Sequence, residues 1–222
     1  MGYMETDQQK RRVLVVTSVE AERDAVLRGL QDDNRFTLLV GGVGPASAAA
    51  STASMLAANE YDLVICAGIC GGFSGRAEVG SLVMASEIVC ADLGAETADG
   101  FCDVDELGFG SARVAVDKEL ATQVTEAIAS KGLPVTMGQV LTLSTVTGTA
   151  ETAAALAKRM PDAAGEAMEG YGVAIAAQQC SLPILEIRAV SNAIGPRDKS
   201  AWRIKDALSA LEKASTVLRE VL

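Results

Sequence analysis

Short apolar runs alternate with helical patterns along most of the chain. Val13–Ser18 is continuously apolar enough to predict a buried strand, and Glu20–Leu30 follows with Ala21, Ala25, Val26 and Leu30 at helical spacing. Phe36–Val40 predicts a second strand, and Gly41-Gly42-Val43-Gly44-Pro45 then turns into an Ala/Ser-rich helix ending near Ala58. Asp62–Ala67 predicts a third strand with a glycine turn, Gly68-Ile69-Cys70-Gly71-Gly72, after it, and Leu82–Ala91 a fourth. Leu93–Gly110 is acidic and has little regular pattern. Beyond it, Asp117–Ser130 predicts a helix, Val135–Ser144 a strand, Thr149–Lys158 and Gly170–Cys180 helices, Ile184–Ser191 a strand, and the chain from about Ile204 a long final helix.

This alternation predicts an α/β fold: a single-domain three-layer sandwich whose central sheet is mixed but largely parallel, with both faces covered. Polar residues 1–12 are expected to form a loose tail, and 13–222 one domain, since no composition break divides them. In such sheets ligands sit beyond the carboxyl ends of the strands, so chemistry is expected just after the apolar runs.

Composition removes several classes of chemistry. At 222 residues, 49% apolar and 22% charged, the chain can bury a sizeable core. It contains no histidine, which excludes Ser-His-Asp and Cys-His nucleophile systems and histidine-bearing zinc sites. Acid–base work is left to carboxylates, amides, Lys, Tyr or Cys. Nineteen basic against 29 acidic residues give a net charge of −10, and Lys10-Arg11-Arg12 is the only basic run, so neither a nucleic-acid nor a membrane partner is expected. Five cysteines, mostly in apolar runs, suit reduced thiols in a cytoplasmic protein.

Familiar motifs fail. Gly42-Val43-Gly44-Pro45 does not match a dinucleotide fingerprint, and no Gly-Lys-Ser/Thr marks a P-loop. Asp103-Val104-Asp105 begins like a calcium loop, but Leu107 and Val114 fall where ligands belong. Three polar points after apolar runs remain. Glu20-Ala21-Glu22 follows the first strand, Ala167-Met168-Glu169-Gly170 opens a helix, and Ser191-Asn192 ends the last strand. Each has an ordinary role available: a first-turn acid complementing the helix dipole, or an Asx-turn. Each also has a chemical one. Glu22 can act as a base at the sheet's active edge, and Glu169 can accept two hydroxyl hydrogens from a ribose diol. Glu186 and Arg188, two apart on one strand face, can simply pair.

The order and spacing of these pieces add what none supplies alone. Thr17-Ser18-Val19-Glu20-Ala21-Glu22, Gly42-Val43-Gly44-Pro45, Ala67-Gly68-Ile69-Cys70-Gly71-Gly72 with Val79-Gly80, Ala167-Met168-Glu169-Gly170 and Arg188-Ala189-Val190-Ser191-Asn192 resemble the nucleoside phosphorylase/nucleosidase superfamily. The likeness runs from about residue 13 to the C-terminus. Gly195-Pro196-Arg197-Asp198-Lys199-Ser200-Ala201-Trp202-Arg203-Ile204 further resembles the signature of the futalosine hydrolase family.

The resemblance implies hydrolysis of the N-glycosidic bond of futalosine to hypoxanthine and dehypoxanthinyl futalosine, on a route to menaquinone, with no metal or cofactor. It implies that Glu22 activates water, Glu169 accepts from the ribose diol and Asn192 serves the leaving base. Gly71, Gly72 and Met168 would line the nucleoside pocket, and Val146 and Thr147 the base site. It also implies a homo-oligomer, a dimer or larger, in which a neighbouring subunit closes the 5′ side; Leu93–Gly110, with Phe101 and Phe109, is the candidate contact.

Departures from the superfamily pattern sharpen the reading. Methylthioadenosine-cleaving relatives carry Asp where this chain has Asn192. A 6-oxopurine presents acceptors at both N7 and O6, which an amide can serve as donor without burying an unpaired anion. The apolar turn Ile69-Cys70-Gly71-Gly72 has no preceding arginine for phosphate, which favours hydrolysis, and Arg76 reads as a surface charge. The benzoate of futalosine needs a local cation. Arg197 and Arg203 with Trp202 are the candidates, with loop bracing and core packing as their alternatives. A 6-oxopurine nucleoside phosphorylase, a broad nucleosidase and a non-catalytic nucleoside-binding protein stay open as rivals.

Overall fold

The structure, a computed structural model, describes residues 11–222; residues 1–10 of the expected tail lie outside the described residues. In chain order the elements are β1 (Val13–Thr17), α1 (Glu20–Leu30), β2 (Phe36–Val40), α2 (Pro45–Ala58), β3 (Leu63–Gly72) and β4 (Leu82–Cys90). β5 (Gly94–Thr97), β6 (Gly100–Asp103), β7 (Arg113–Ala115), α3 (Lys118–Ser130) and β8 (Val135–Thr142) follow. α4 (Ala150–Arg159), β9 (Ala163–Ala167), α5 (Gly170–Gln179), β10 (Ile184–Ala193), a short 3-10 turn (Lys199–Ala201) and α6 (Ile204–Val221) complete the chain.

Local chemistry sets several boundaries. Asp117 and Thr149 cap α3 and α4 by accepting from the N–H of Leu120 and Thr152, and Pro45 opens α2 where its missing N–H costs nothing. β1 is wholly buried, as its continuous apolar run requires.

The main sheet is mixed. β1 pairs in parallel with β2 and β3, β3 with β10, β4 with β8, and β8 with β9. Antiparallel pairings join β10 to β4, β3 to β9, and β4 to β7. The strands β3, β10, β4, β8 and β9 therefore close a circuit of ladders, from which β1 and β2 extend.

Three differences from the sequence expectation stand out. The stretch Gly68–Gly72 is strand rather than turn, because Gly71 and Gly72 are paired with β9 on one side and β10 on the other. Crowding makes Gly72 necessary: a Cβ there would lie 2.3 Å from the Ala77 carbonyl oxygen and 2.7 Å from Val190. β9, Ala-Ala-Gly-Glu-Ala, is fully buried but contains no β-branched residue, so its pattern did not announce a strand. The supposedly irregular 93–110 stretch holds the β5–β6 hairpin.

α6 buries Ala207, Leu211, Ala214, Ser215, Val217 and Leu218 along one stripe, the helical period expected of an amphipathic element. It packs closely on α1 at Gly29, where a Cβ would sit 2.2 Å from the Glu212 carbonyl oxygen. Gly29→Ala should therefore cost about 1–3 kcal/mol by overpacking, read as a lowered denaturant midpoint; an unchanged midpoint would show that the interface yields freely.

Candidate active site

The polar residues gather at the carboxyl ends of β1, β3 and β10. α1 begins immediately after β1, and its first turn brings Glu22 back over the strand end. The carboxylate is buried and accepts three backbone N–H groups. Oε2 takes Ser18 at 2.9 Å and Val19 at 3.3 Å, and Oε1 takes Ile69 of β3 at 2.9 Å. The residue beneath it must be glycine. A Cβ at Gly68 would lie 2.7 Å from both Glu22 Oε1 and Arg188 Nη1.

Arg188, fully buried in β10, is the hub of this end of the sheet. Its Nε donates to Glu186 Oε1 at 2.8 Å, its Nη2 to the Cys66 sulfur at 3.1 Å, and Nη1 stands 3.5 Å from Glu169 Oε2. The expected pairing of Glu186 with Arg188 is thus present, and extends to a third residue. Glu186 is wholly buried; burial pushes its carboxyl above the usual range, against the pull of Arg188. Among the described residues its Oε2 has no hydrogen-bond partner, and it lies against Gly170, where any Cβ would come within 2.2 Å.

Glu169 sits between β9 and α5. Besides the arginine, it accepts the N–H of Gly44 and of Met168, each at 3.3 Å. Burial pushes the neighbouring thiols of Cys66 and Cys70 up, the latter to about 12, so both stay protonated and act as small packing groups.

Farther along β3 lies a cleft lined by Gly71, Val146, Thr147, Glu166, Asn192, Ile194, Arg197 and Trp202. β10 slips register between Val190 and Asn192, which places Asn192 beside Gly71. The Ser191 hydroxyl donates to Asn192 Oδ1 at 2.8 Å, leaving the amide nitrogen as the outward end, now on the Ala193 carbonyl at 3.0 Å.

The structure does not bring every expected residue into this cleft. Gly72 is spent on packing against Ala77 and Val190. Arg197 lies over the Trp202 ring at 5.7 Å, whereas Arg203 is exposed, pairs with Asp206 and borders a neighbouring groove. Arg76 donates to the Pro161 carbonyl at 2.6 Å in another groove, in keeping with a surface charge. One residue was missed in the sequence: Glu166 is buried in the cleft wall. Its signal was a lone acid in the small-residue run Ala163–Ala167.

Among the described residues no group of three or more His, Cys, Asp or Glu is placed to hold a metal ion, and no helix is long and apolar enough to cross a membrane.

Comparison with known proteins identifies the family. The family model described as the phosphorylase superfamily matches residues 6–222, and the chain belongs to that superfamily. It is 49% identical to the futalosine hydrolase of Streptomyces coelicolor over 95% of this chain and 96% of that protein, and 44% identical to that of Acidothermus cellulolyticus over 92% and 89%. Within the superfamily it is therefore a member of the futalosine hydrolase family. The fold agrees with the native structure of Helicobacter pylori futalosine hydrolase at a TM-score of 0.84, with 15% identity over 96% of this chain and 98% of that one. A methylthioadenosine/S-adenosylhomocysteine nucleosidase from Neisseria meningitidis, in complex with methylthio-immucillin-A, superposes at 0.80, with 23% identity over 94% and 98%.

Breaking the arginine cluster should be costly. Arg188→Gln leaves buried carboxylates without their cation and is expected to lose about 3–5 kcal/mol in a denaturant titration; a loss under about 1 kcal/mol would show that the cluster carries little stability.

Proposed function

We propose that the chain hydrolyses the N-glycosidic bond of futalosine, releasing hypoxanthine and dehypoxanthinyl futalosine on the futalosine route to menaquinone. The observation that carries the chemistry is the assembly along β3 of two fixed carboxylates at one end and an outward amide nitrogen at the other. Gly68 and Gly71, which mark these two positions, are three residues apart, or about 10 Å along a strand. Membership of the futalosine hydrolases narrows the nucleoside.

Each residue then has a task. An ionised carboxylate offers about four lone-pair positions. Three of Glu22's are taken by backbone N–H groups, which leaves one on Oε1 for the attacking water. As in inverting glycosidases, that carboxylate takes the water's proton while an oxocarbenium-like sugar separates from its leaving group. Glu169 is held only by long contacts of 3.3–3.5 Å, so a 2′,3′-diol can supply shorter bonds, and its charge offsets the cation developing on the ring. Asn192 stabilises the departing base by donating to its N7/O6 edge, which presents two acceptors in a 6-oxopurine but an acceptor at N7 and a donor at the 6-amino group in a 6-aminopurine. Val146 and Thr147 wall the base, and Met168 adjoins the sugar. Arg197, with Trp202, meets the benzoate, and Arg203 lends positive field from the adjoining groove.

The wider reading keeps 13–222 as one domain in the cytoplasm. The helix groups α1/α3/α6 and α2/α5 support a three-layer arrangement around a largely parallel sheet. Exposed Phe101 and Phe109, near the β5–β6 hairpin, support a homo-oligomer in which that segment meets a second subunit. No cofactor enters the scheme.

Hypoxanthine release from futalosine and from inosine, with and without phosphate, tests the proposal. Release from futalosine without phosphate is expected; strict phosphate dependence would identify a phosphorylase, and faster cleavage of inosine a broader nucleosidase. Glu22→Gln should lose roughly two or more decades of kcat while still binding nucleoside, the scale of removing a general base; near-normal turnover would refute its role. Asn192→Asp should shift preference toward 6-aminopurine nucleosides, and an unchanged preference would remove it from base recognition.

A further inference from the structure

Glu186 and Arg188 lie two apart on β10, and Glu169 immediately precedes α5, so one buried guanidinium meets carboxylates from two places in the chain. It does not treat them alike. Nε donates to Glu186 Oε1 at 2.8 Å and Nη2 to the Cys66 sulfur at 3.1 Å. Nη1 stands 3.5 Å from Glu169 Oε2, beyond the usual hydrogen-bond range. A guanidinium grips a carboxylate with two parallel N–H bonds when it presents its Nε–Nη2 edge or its Nη1–Nη2 edge. Glu186 and Cys66 hold Nε and Nη2, which leaves Glu169 facing Nη1 alone.

Glu186 is itself fixed. It is wholly buried, and its carboxylate rests on the bare Cα of Gly170, where no Cβ could fit. That place is the N-terminus of α5, whose dipole favours an anion. Glu169, one residue before Gly170, has only longer contacts: the N–H groups of Gly44 and Met168 at 3.3 Å, and the arginine at 3.5 Å. Of the two acids beside the cation, one is locked and the other is loosely held.

We propose that Glu186 is a positioning residue: it holds Arg188 back from Glu169, and so keeps the Glu169 carboxylate open to a ribose diol. The inference rests on the reading that Glu169 accepts that diol. A carboxylate gripped by an arginine fork spends two of its roughly four lone-pair positions on short, charge-assisted bonds, which neutral hydroxyls displace poorly. At 3.5 Å the arginine lends Glu169 its field and takes no short bond from it. Without the charge on Glu186, Glu169 is the nearest remaining carboxylate, and the guanidinium is drawn onto it.

The experiment measures kcat/KM for futalosine and for its 3′-deoxy analogue in the wild type and in Glu186→Gln, a substitution of nearly equal size that removes the charge. The wild type should prefer the intact diol. The variant should lose roughly tenfold of that preference, through a raised KM for futalosine, the scale of a hydrogen bond to a charged group. Damage to the fold would weaken both substrates alike, so equal losses or an unchanged preference would overturn the proposal.

A crystal structure of Glu186→Gln gives a readout independent of turnover. Arg188 should close on Glu169 to about 2.8 Å, the length of a charge-assisted bond; an arginine that keeps its distance would overturn the assignment. Should that variant not fold, Cys66→Ala frees Nη2 alone and is expected to lower the diol preference in the same direction, and an unchanged preference there would overturn it equally. If the wild type released no hypoxanthine from futalosine, the functional reading would fail, while the Arg188–Glu169 distance in the variant would still decide whether Glu186 holds the arginine back.

Discussion

A single buried cation organises the centre of this protein. Arg188 has no access to water, so its charge is tolerable only because Glu186 and Glu169 approach it and Cys66 takes one of its hydrogens. The residues around it conform to that requirement. Gly68 is bare so that the guanidinium and Glu22 can both lie over β3, and Gly170 is bare because Glu186 presses on the start of α5. Stability alone is a weak reason to bury such a cluster, since apolar packing usually does as well. Its value here is positional: the arginine on β10 ties the entrance to α5 to the middle of β3.

β3 is the line along which the chemistry is arranged. Its first residues are apolar and buried between β1 and β10, while its last five include three glycines. Where the apolar part ends, side chains arrive from other elements to fill the space that the glycines leave. Glu22 arrives from α1, Arg188 and Asn192 from β10, and Ile194 from just beyond it. Each acidic group is held by backbone N–H donors or by the arginine, so the cleft is polar without needing surface cations.

Much of this could be read in the sequence because the strongest signals are local. α1, β2 and the start of α6 lie where the apolar pattern puts them. Glu22, Glu169 and Asn192 could be singled out because each follows an apolar run. The strand character of Gly68–Gly72 and of Ala163–Ala167 was hidden, since it depends on partners distant in sequence rather than on propensity. Glu166 was hidden with β9, for an acid in an Ala/Gly run reads as a loop until both neighbouring ladders are known. The division of labour between Arg197 and Arg203 also lay beyond sequence, because it depends on which of them Asp206 captures.

The closed circuit of β3, β10, β4, β8 and β9 has one further consequence. A strand with a free side is a template on which another polypeptide can assemble, and long open edges invite aggregation. Every strand in the circuit has a ladder on each side over part of its length, so among the described residues only β2 and the three-residue β7 of the main sheet are paired on a single side. Connectivity thus removes most of this sheet's edges, much as closure does in a barrel.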